Sequence, residues 1–170
     1  MRGPTSGREA GVGLVEVLVA TLVLSFGFLM IARMQVDAMA SQRTAYHESQ
    51  ALMLAGEMMD RMRNNLAGVA AGAYSGESTA ATRTEPACVA TGFCGPAETA
   101  EADLHAWSAR LQSMRATPGF VPLLPPAADG SAAVGSVGAP TAGVYPITLR
   151  WSEREDDAEV VRELTVRFAP

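Results

Sequence analysis

The chain has 170 residues, with 13 basic against 18 acidic side chains, a formal net charge of −5 and two cysteines. That length suits one domain plus an anchor, and the acidic balance argues against non-specific nucleic-acid binding, which draws on clustered positive charge. Every basic residue is Arg, which with the heavy Ala and Gly usage points to a GC-rich genome rather than to a function.

Residues 1–11 form a short leader carrying Arg2, Arg8 and Glu9. From 12 to 32 the sequence is largely apolar, with Glu16 as the only charge. About 20 apolar residues cross a bilayer as a helix, at about 1.5 Å each. Arg2, Arg8 and the free amine place the leader on the cytoplasmic side. A charge in hydrocarbon costs roughly 2.5–3.5 kcal/mol on insertion scales, so Glu16 calls for a partner. One rival reading is a cleaved secretory signal, for which Ala38-Met39-Ala40 offers a site that releases a chain starting at Ser41. The apolar cores of such signals run to about 7–15 residues, and this one is longer and charged. A plain uncleaved anchor is the other rival.

Positions 11–16 read Gly-Val-Gly-Leu-Val-Glu. This run resembles the class III signal of type IV prepilins, with a small residue before the cut and a glutamate fifth in the mature chain. The resemblance implies cleavage between Gly11 and Val12 by the prepilin peptidase, a membrane aspartic protease, which also N-methylates Val12. It implies too that Glu16 neutralises the terminal amine of a neighbouring subunit during assembly. The sequence departs from the commonest signal at Val12, where Phe is usual, and at Gly13, where Thr is usual. Both replacements are small or apolar. A lone acid at a helix start also complements the macrodipole, but that alone does not explain its coincidence with Gly11 and the apolar run.

The helical pattern continues past the membrane segment. Ala51, Ala55, Met58, Met62 and Leu66 fall on one face, and Glu57–Arg61 and Asp60–Arg63 are spaced for intrahelical ion pairs. One helix is predicted over 12–65, roughly 80 Å long. Met53, Met58, Met59 and Met62 read as adaptable packing against a head, not as metal ligands. Residues 66–85 read as a connector without regular structure. A second helix is predicted over 96–114, opened by Pro96 and by acids, with a buried stripe of Leu104, Trp107, Leu111 and Met114. The Pro- and Gly-rich stretch 116–143 is expected to hold no regular element. Two strands close the chain. Ile147, Leu149 and Trp151 alternate in one; Val160, Arg162, Leu164, Val166 and Phe168 alternate in the other, with Arg162 the exception on an apolar face. The charged segment 153–157 is read as their turn.

Cys88 and Cys94 lie on the expected exported side, where disulfides form. The alternative is a metal site with His105, but the spacing fits no usual zinc pattern and a fourth ligand is not evident. His47 and His105 read as surface or interface residues, and Asp156 with Asp157 as a solvated turn. No nucleophile elbow, zincin, phosphate-loop or dinucleotide signature occurs. No enzyme, cofactor or metal is therefore expected.

Three stretches resemble the PilV family of type IV pilus modification proteins. They are positions 11–20 (Gly-Val-Gly-Leu-Val-Glu-Val-Leu-Val-Ala), the helix end Asp60-Arg61-Met62-Arg63-Asn64 with the residues from Ser49 that lead to it, and 94–111 with Asp103, Leu104 and Trp107. The resemblance implies a minor pilin that helps initiate or modify pilus assembly. It implies an α+β, pilin-like fold in which the long helix packs on a small antiparallel sheet. The expected organisation is a leader at 1–11, a transmembrane part of the helix at 12–32, its exported part at 33–65, and a globular head at 66–170. Implied partners are the inner membrane, prepilin peptidase, other minor pilins and the major pilin, in a hetero-oligomeric filament or tip complex. The subunit would cross the inner membrane once, with its head in the periplasm, and then join a pilus at the cell surface that serves adhesion and twitching motility. A minor pseudopilin of a type II secretion system shares the same logic. A tip-exposed binding module, for adhesion or DNA uptake, is a further alternative, and 116–143 is where its recognition loop would lie.

Overall fold

A computed structural model describes residues 13–112, 123–127, 131–155 and 158–170. The chain divides into two compact units, Met1–Arg43 and Thr44–Pro170. Helix α1, Leu14–Asn64, contributes to both.

In the first unit every described residue, 13 to 43, is exposed. The helix there is long and apolar enough to cross a membrane. The two hydroxyls of its apolar stretch bond inside the helix: Thr21 Oγ1 donates to the carbonyls of Val17 and Leu18 at 2.9 Å, and Ser25 Oγ to that of Thr21 at 2.7 Å. Side chains satisfied in this way are compatible with lipid.

The second unit is the head. Along its part of α1, Ala51, Leu54, Ala55, Met58 and Met62 are buried, the expected stripe with Leu54 added. Glu57–Arg61 and Asp60–Arg63 form the expected ion pairs at 2.7 and 2.8 Å. Leu66 does not continue the stripe and is exposed, because α1 stops one residue before Asn65. The backbone leaves helical geometry at Asn65 (φ −128°, ψ 56°), and its side chain accepts from Gly68 N, capping a new helix α2, Leu66–Ala70. Of the four methionines, Met58 and Met62 are buried and Met59 packs on the core, whereas Met53 is exposed.

The stretch 66–85, expected as a connector, therefore contains α2, and after it strand β1, Glu77–Ser78. A one-turn helix α3, Cys88–Thr91, precedes α4, Pro96–Gln112. Leu104, Trp107 and Leu111 of α4 are buried, as its periodicity predicts, with Ala100 added. Met114, the last predicted member of that stripe, lies outside the described residues.

Strands β2 (Val134–Val137), β3 (Tyr145–Glu155) and β4 (Ala158–Phe168) complete an antiparallel sheet of order β1-β2-β3-β4. Two of its four strands, β1 and β2, were not expected, and β2 falls inside the stretch read as irregular. Its composition hides it, since Val-Gly-Ser-Val is too short and Gly-containing to show a strand signal. The glycine is required by packing: a Cβ on Gly135 would overlap the Trp107 ring. In β3 and β4 the predicted alternation holds, with Leu149 opposite Leu164, Ile147 opposite Val166 and Tyr145 opposite Phe168. The turn is shorter than 153–157. Glu153 belongs to β3 and points inward, paired in register with Val160, and Glu155 opposes Ala158. Asp156 and Asp157, read as a solvated turn, lie outside the described residues.

Candidate assembly helix and head junctions

Glu16 sits in the first turn of α1, where its own amide donates to Gly13 O at 2.9 Å. From Leu14 to Ala32 it is the only charged side chain. With Thr21 and Ser25 bonded internally, Glu16 is the one side chain on this surface whose polar group needs a partner from outside the helix. The processing pair, Gly11 and Val12, lies outside the described residues.

The head fastens its part of α1 to α4 through one connected polar network. Asn65 Nδ2 donates to Tyr74 Oη at 3.0 Å and to Pro96 O at 2.7 Å. Tyr74 Oη in turn donates to Asp103 Oδ2 at 2.6 Å. Arg61 stands 3.5 Å from Asp103 Oδ1 and also pairs with Glu57, which receives Arg110 at 3.2 Å. Burial first, and then the hydrogen bond to Asp103, push the Tyr74 phenol far above its ordinary pKa, so it remains a donor at any physiological pH. Gly68 N at the start of α2 and Pro96 O at the start of α4 are both satisfied here by the Asn65 side chain. Gly68 packs against this cluster so closely that a Cβ would overlap the Asn65 amide. Nearby, Trp107 Nε1 donates to Leu54 O at 3.0 Å.

Three residues from the stretches that resemble PilV make these contacts. Arg61 and Asp103 belong to the network, and Trp107 ties α4 to α1. Asn65 and Tyr74 escaped the sequence reading, because an Asn just after a helix and a Tyr in a polar stretch carry no periodic signal.

A second junction centres on Glu153. Its carboxylate is nearly buried and accepts from Trp151 Nε1 at 2.8 Å, His47 Nδ1 at 2.9 Å and Thr44 Oγ1 at 3.1 Å, with Arg162 Nε at 3.6 Å. His47, read as a surface or interface residue, packs against the head at Glu153, with Nδ1 carrying the proton because a carboxylate only accepts. Arg162, the exception on the apolar face of β4, is explained by Glu153 and by Glu155 at 2.8 Å. Burial alone would push the Glu153 carboxyl up; the bonds from Trp151, His47 and Thr44 together outweigh it and hold the pKa below its ordinary 4.5. A carboxyl depressed in the folded state stabilises the fold above pH 4.5, and that stabilisation is lost as pH falls through the folded value. Glu153→Gln is accordingly expected to cost about 1.5–3 kcal/mol at pH 7 and much less near pH 3. Parallel unfolding curves for both proteins from pH 7 to 3 check this, and a pH-independent difference would refute it.

Cys88 and Cys94 form the expected disulfide, with Cα atoms 5.1 Å apart. No group of three or more His, Cys, Asp or Glu side chains suited to a metal ion occurs among the described residues. Arg83, whose side chain is nearly buried, bonds to Glu77, to Glu101 at 3.0 Å and to the carbonyl of Ser78, fastening β1 to α4.

A long N-terminal helix, apolar enough for a membrane in its first part and packed further on against a four-stranded antiparallel sheet, is an α+β architecture of pilin type. Residues 33–105 match the Tt1218-like family, described as type IV pilin Tt1218. That match supports a type IV pilin, a structural subunit of pilus assembly, and it covers Arg61, Asn65, Tyr74 and Asp103 of the polar network. No curated protein and no solved structure matches the chain.

Proposed function

We propose that the chain is a minor pilin of the PilV kind. It is cut between Gly11 and Val12 and N-methylated on Val12. It is held in the inner membrane with its head in the periplasm, and it joins other minor pilins to start or modify a type IV pilus. The observation that carries this reading is Glu16, the only side chain on an exposed apolar helix surface that demands an outside partner. A new amine on Val12 of a neighbouring subunit supplies the opposite charge at the same membrane depth. Pairing the two removes the penalty of each, and so sets the axial register of neighbouring helices.

The test is the N-terminus of the protein isolated from membranes. A start at N-methylated Val12 is expected; a start at Ser41 or Met1 would overturn the reading. Replacing Gly11 by a large residue, for example Gly11→Leu, is expected to leave the chain uncleaved and absent from filaments, read on the same membranes by its size and by immunolabelling of pili. Operon partners and crosslinked neighbours separate this reading from a minor pseudopilin of type II secretion.

A further inference from the structure

We infer that Glu153 is an acid-operated latch: its carboxylate clasps the outer end of the β3–β4 hairpin to residues 44–50 of α1, and protonating it parts the two while the rest of the head stays folded. This holds whatever the N-terminus of the mature chain, since every group of the latch lies within the head unit.

The two sides of the latch meet outside the apolar core. Helix α1 buries no residue before Ala51, so about two turns of it enter the head ahead of its core stripe. The core cluster ends at Trp151 in β3, and Leu164 is the residue of β4 nearest the hairpin turn that packs on it. Beyond Glu153, the hairpin residues Arg154, Glu155, Ala158 and Glu159 are exposed. Among the described residues, Thr44 and His47 bond this part of α1 to the sheet, and both bond to Glu153. The rest of the head is joined through Leu54, Met58, Leu104 and Trp107, none of which titrates. Regions held by few buried apolar groups open at lower cost than the core they border.

The geometry shows what a proton would undo. Oε1 of Glu153 receives Trp151 Nε1 of β3 at 2.8 Å and His47 Nδ1 of α1 at 2.9 Å. Oε2 receives Thr44 Oγ1 of α1 at 3.1 Å and stands 3.6 Å from Arg162 Nε of β4. Arg162 is shared with Glu155 of β3, at 2.8 Å. A proton on Oε2 takes the place of the Thr44 donor and cancels the attraction for Arg162. At Oε1 the two remaining bonds lose their charge assistance, which makes a hydrogen bond roughly twice as strong as a neutral one. The positive charges of His47 and Arg162 are then left without the anion that both face. Arg162 keeps Glu155, so the hairpin itself holds, and the contact that yields is the one to α1. Burial pushes the Glu153 carboxyl up, but the bonds from Trp151, His47 and Thr44 hold it below its ordinary 4.5. The latch is therefore closed above pH 4.5 and opens as pH falls through the folded value.

The two tryptophans of the chain read the latch and its control together. Trp151 lies beside Glu153, and Trp107 is fully buried in the part expected to stay closed. Acrylamide, a neutral quencher, is applied to the detergent-solubilised full chain. Between pH 7 and about pH 3 the quenching constant of Trp151 is expected to rise about fivefold, reversibly, while Trp107 stays shielded. Trp151→Phe is expected to abolish the change, which assigns it. Thr44→Val removes one donor and is expected to move the transition to higher pH. Glu153→Gln is expected to show the acid level of quenching already at pH 7 and no transition. Exposure of both tryptophans together, no change in either, a change that survives Trp151→Phe, an unmoved transition in Thr44→Val, or a wild-type transition in Glu153→Gln overturns the inference. If Glu153→Gln does not fold, the direction of the Thr44→Val shift decides alone.

Discussion

Glu16→Ala is expected to leave cleavage intact and to lower incorporation into filaments by about 100-fold or more. The argument turns on two magnitudes. If Glu16 only complemented the α1 macrodipole, its loss would cost about 0.3–1 kcal/mol, a two- to fivefold effect. If it neutralises a neighbour's amine in lipid, its removal leaves that amine unpaired, and breaking such a pair costs about 3–5 kcal/mol. The environment favours the larger figure, since every side chain around Glu16 is apolar or, like Thr21, bonded within its own helix. Glu16→Gln supplies a graded comparison, because it keeps hydrogen-bonding capacity and loses charge; its loss is expected to lie between wild type and Ala. Counting labelled pili and measuring the membrane-retained fraction separates assembly from processing. Incorporation within fivefold of wild type for Glu16→Ala would reduce Glu16 to a dipole complement and remove the electrostatic basis of the proposed function.

How much was legible in the sequence follows the range of each interaction. The helical stripe through Ala51, Met58 and Met62, the Leu104–Trp107–Leu111 stripe, the disulfide and the alternation in β3 and β4 are written in local spacing, and they were readable. Strand β2 was not, because its identity comes from partners: Gly135 sits opposite Leu149 and beneath Trp107, residues distant in sequence. Glu153 was misread for the same reason. A charged residue beside Arg154, Glu155 and two aspartates reads as a turn, and only Thr44 and His47, more than a hundred positions away, make it an inward-facing strand residue. Asp103 was noticed through resemblance but without a role, and Arg61 only as the intrahelical partner of Glu57, since the contact between Arg61 and Asp103 joins α1 to α4. Apart from the local Glu57–Arg61 pair and the Asn65 cap, the polar junctions, unlike the apolar stripes, are set by tertiary contacts.

The largest effect on the stability of the head is expected at Trp107. Its ring is fully buried, its Nε1 donates to Leu54 O, and Gly135 is shaped to its face. One side chain thus holds α4 against both α1 and β2. Trp107→Ala removes the ring, leaves a cavity and gives up the bond to α1, at about 3–5 kcal/mol. For a chain of this size that is a fall in melting temperature of roughly 6–20 °C. Trp107→Phe restores most of the volume but not the donor and is expected to cost only about 1–2 kcal/mol. Gly135→Ala drives a methyl into the ring and is expected to cost about 1–3 kcal/mol. The decisive measurement is the double variant. If the ring is what makes Gly135 necessary, the cost of Gly135→Ala nearly vanishes in a Trp107→Leu background, and the two changes couple by about 1–3 kcal/mol. Melting of the detergent-solubilised full chain, followed by near-ultraviolet circular dichroism, reads the wild type, each single variant and the double variant. Additive effects would mean that Gly135 answers to the strand's own conformation, and that the contact between α4 and the sheet rests on other side chains.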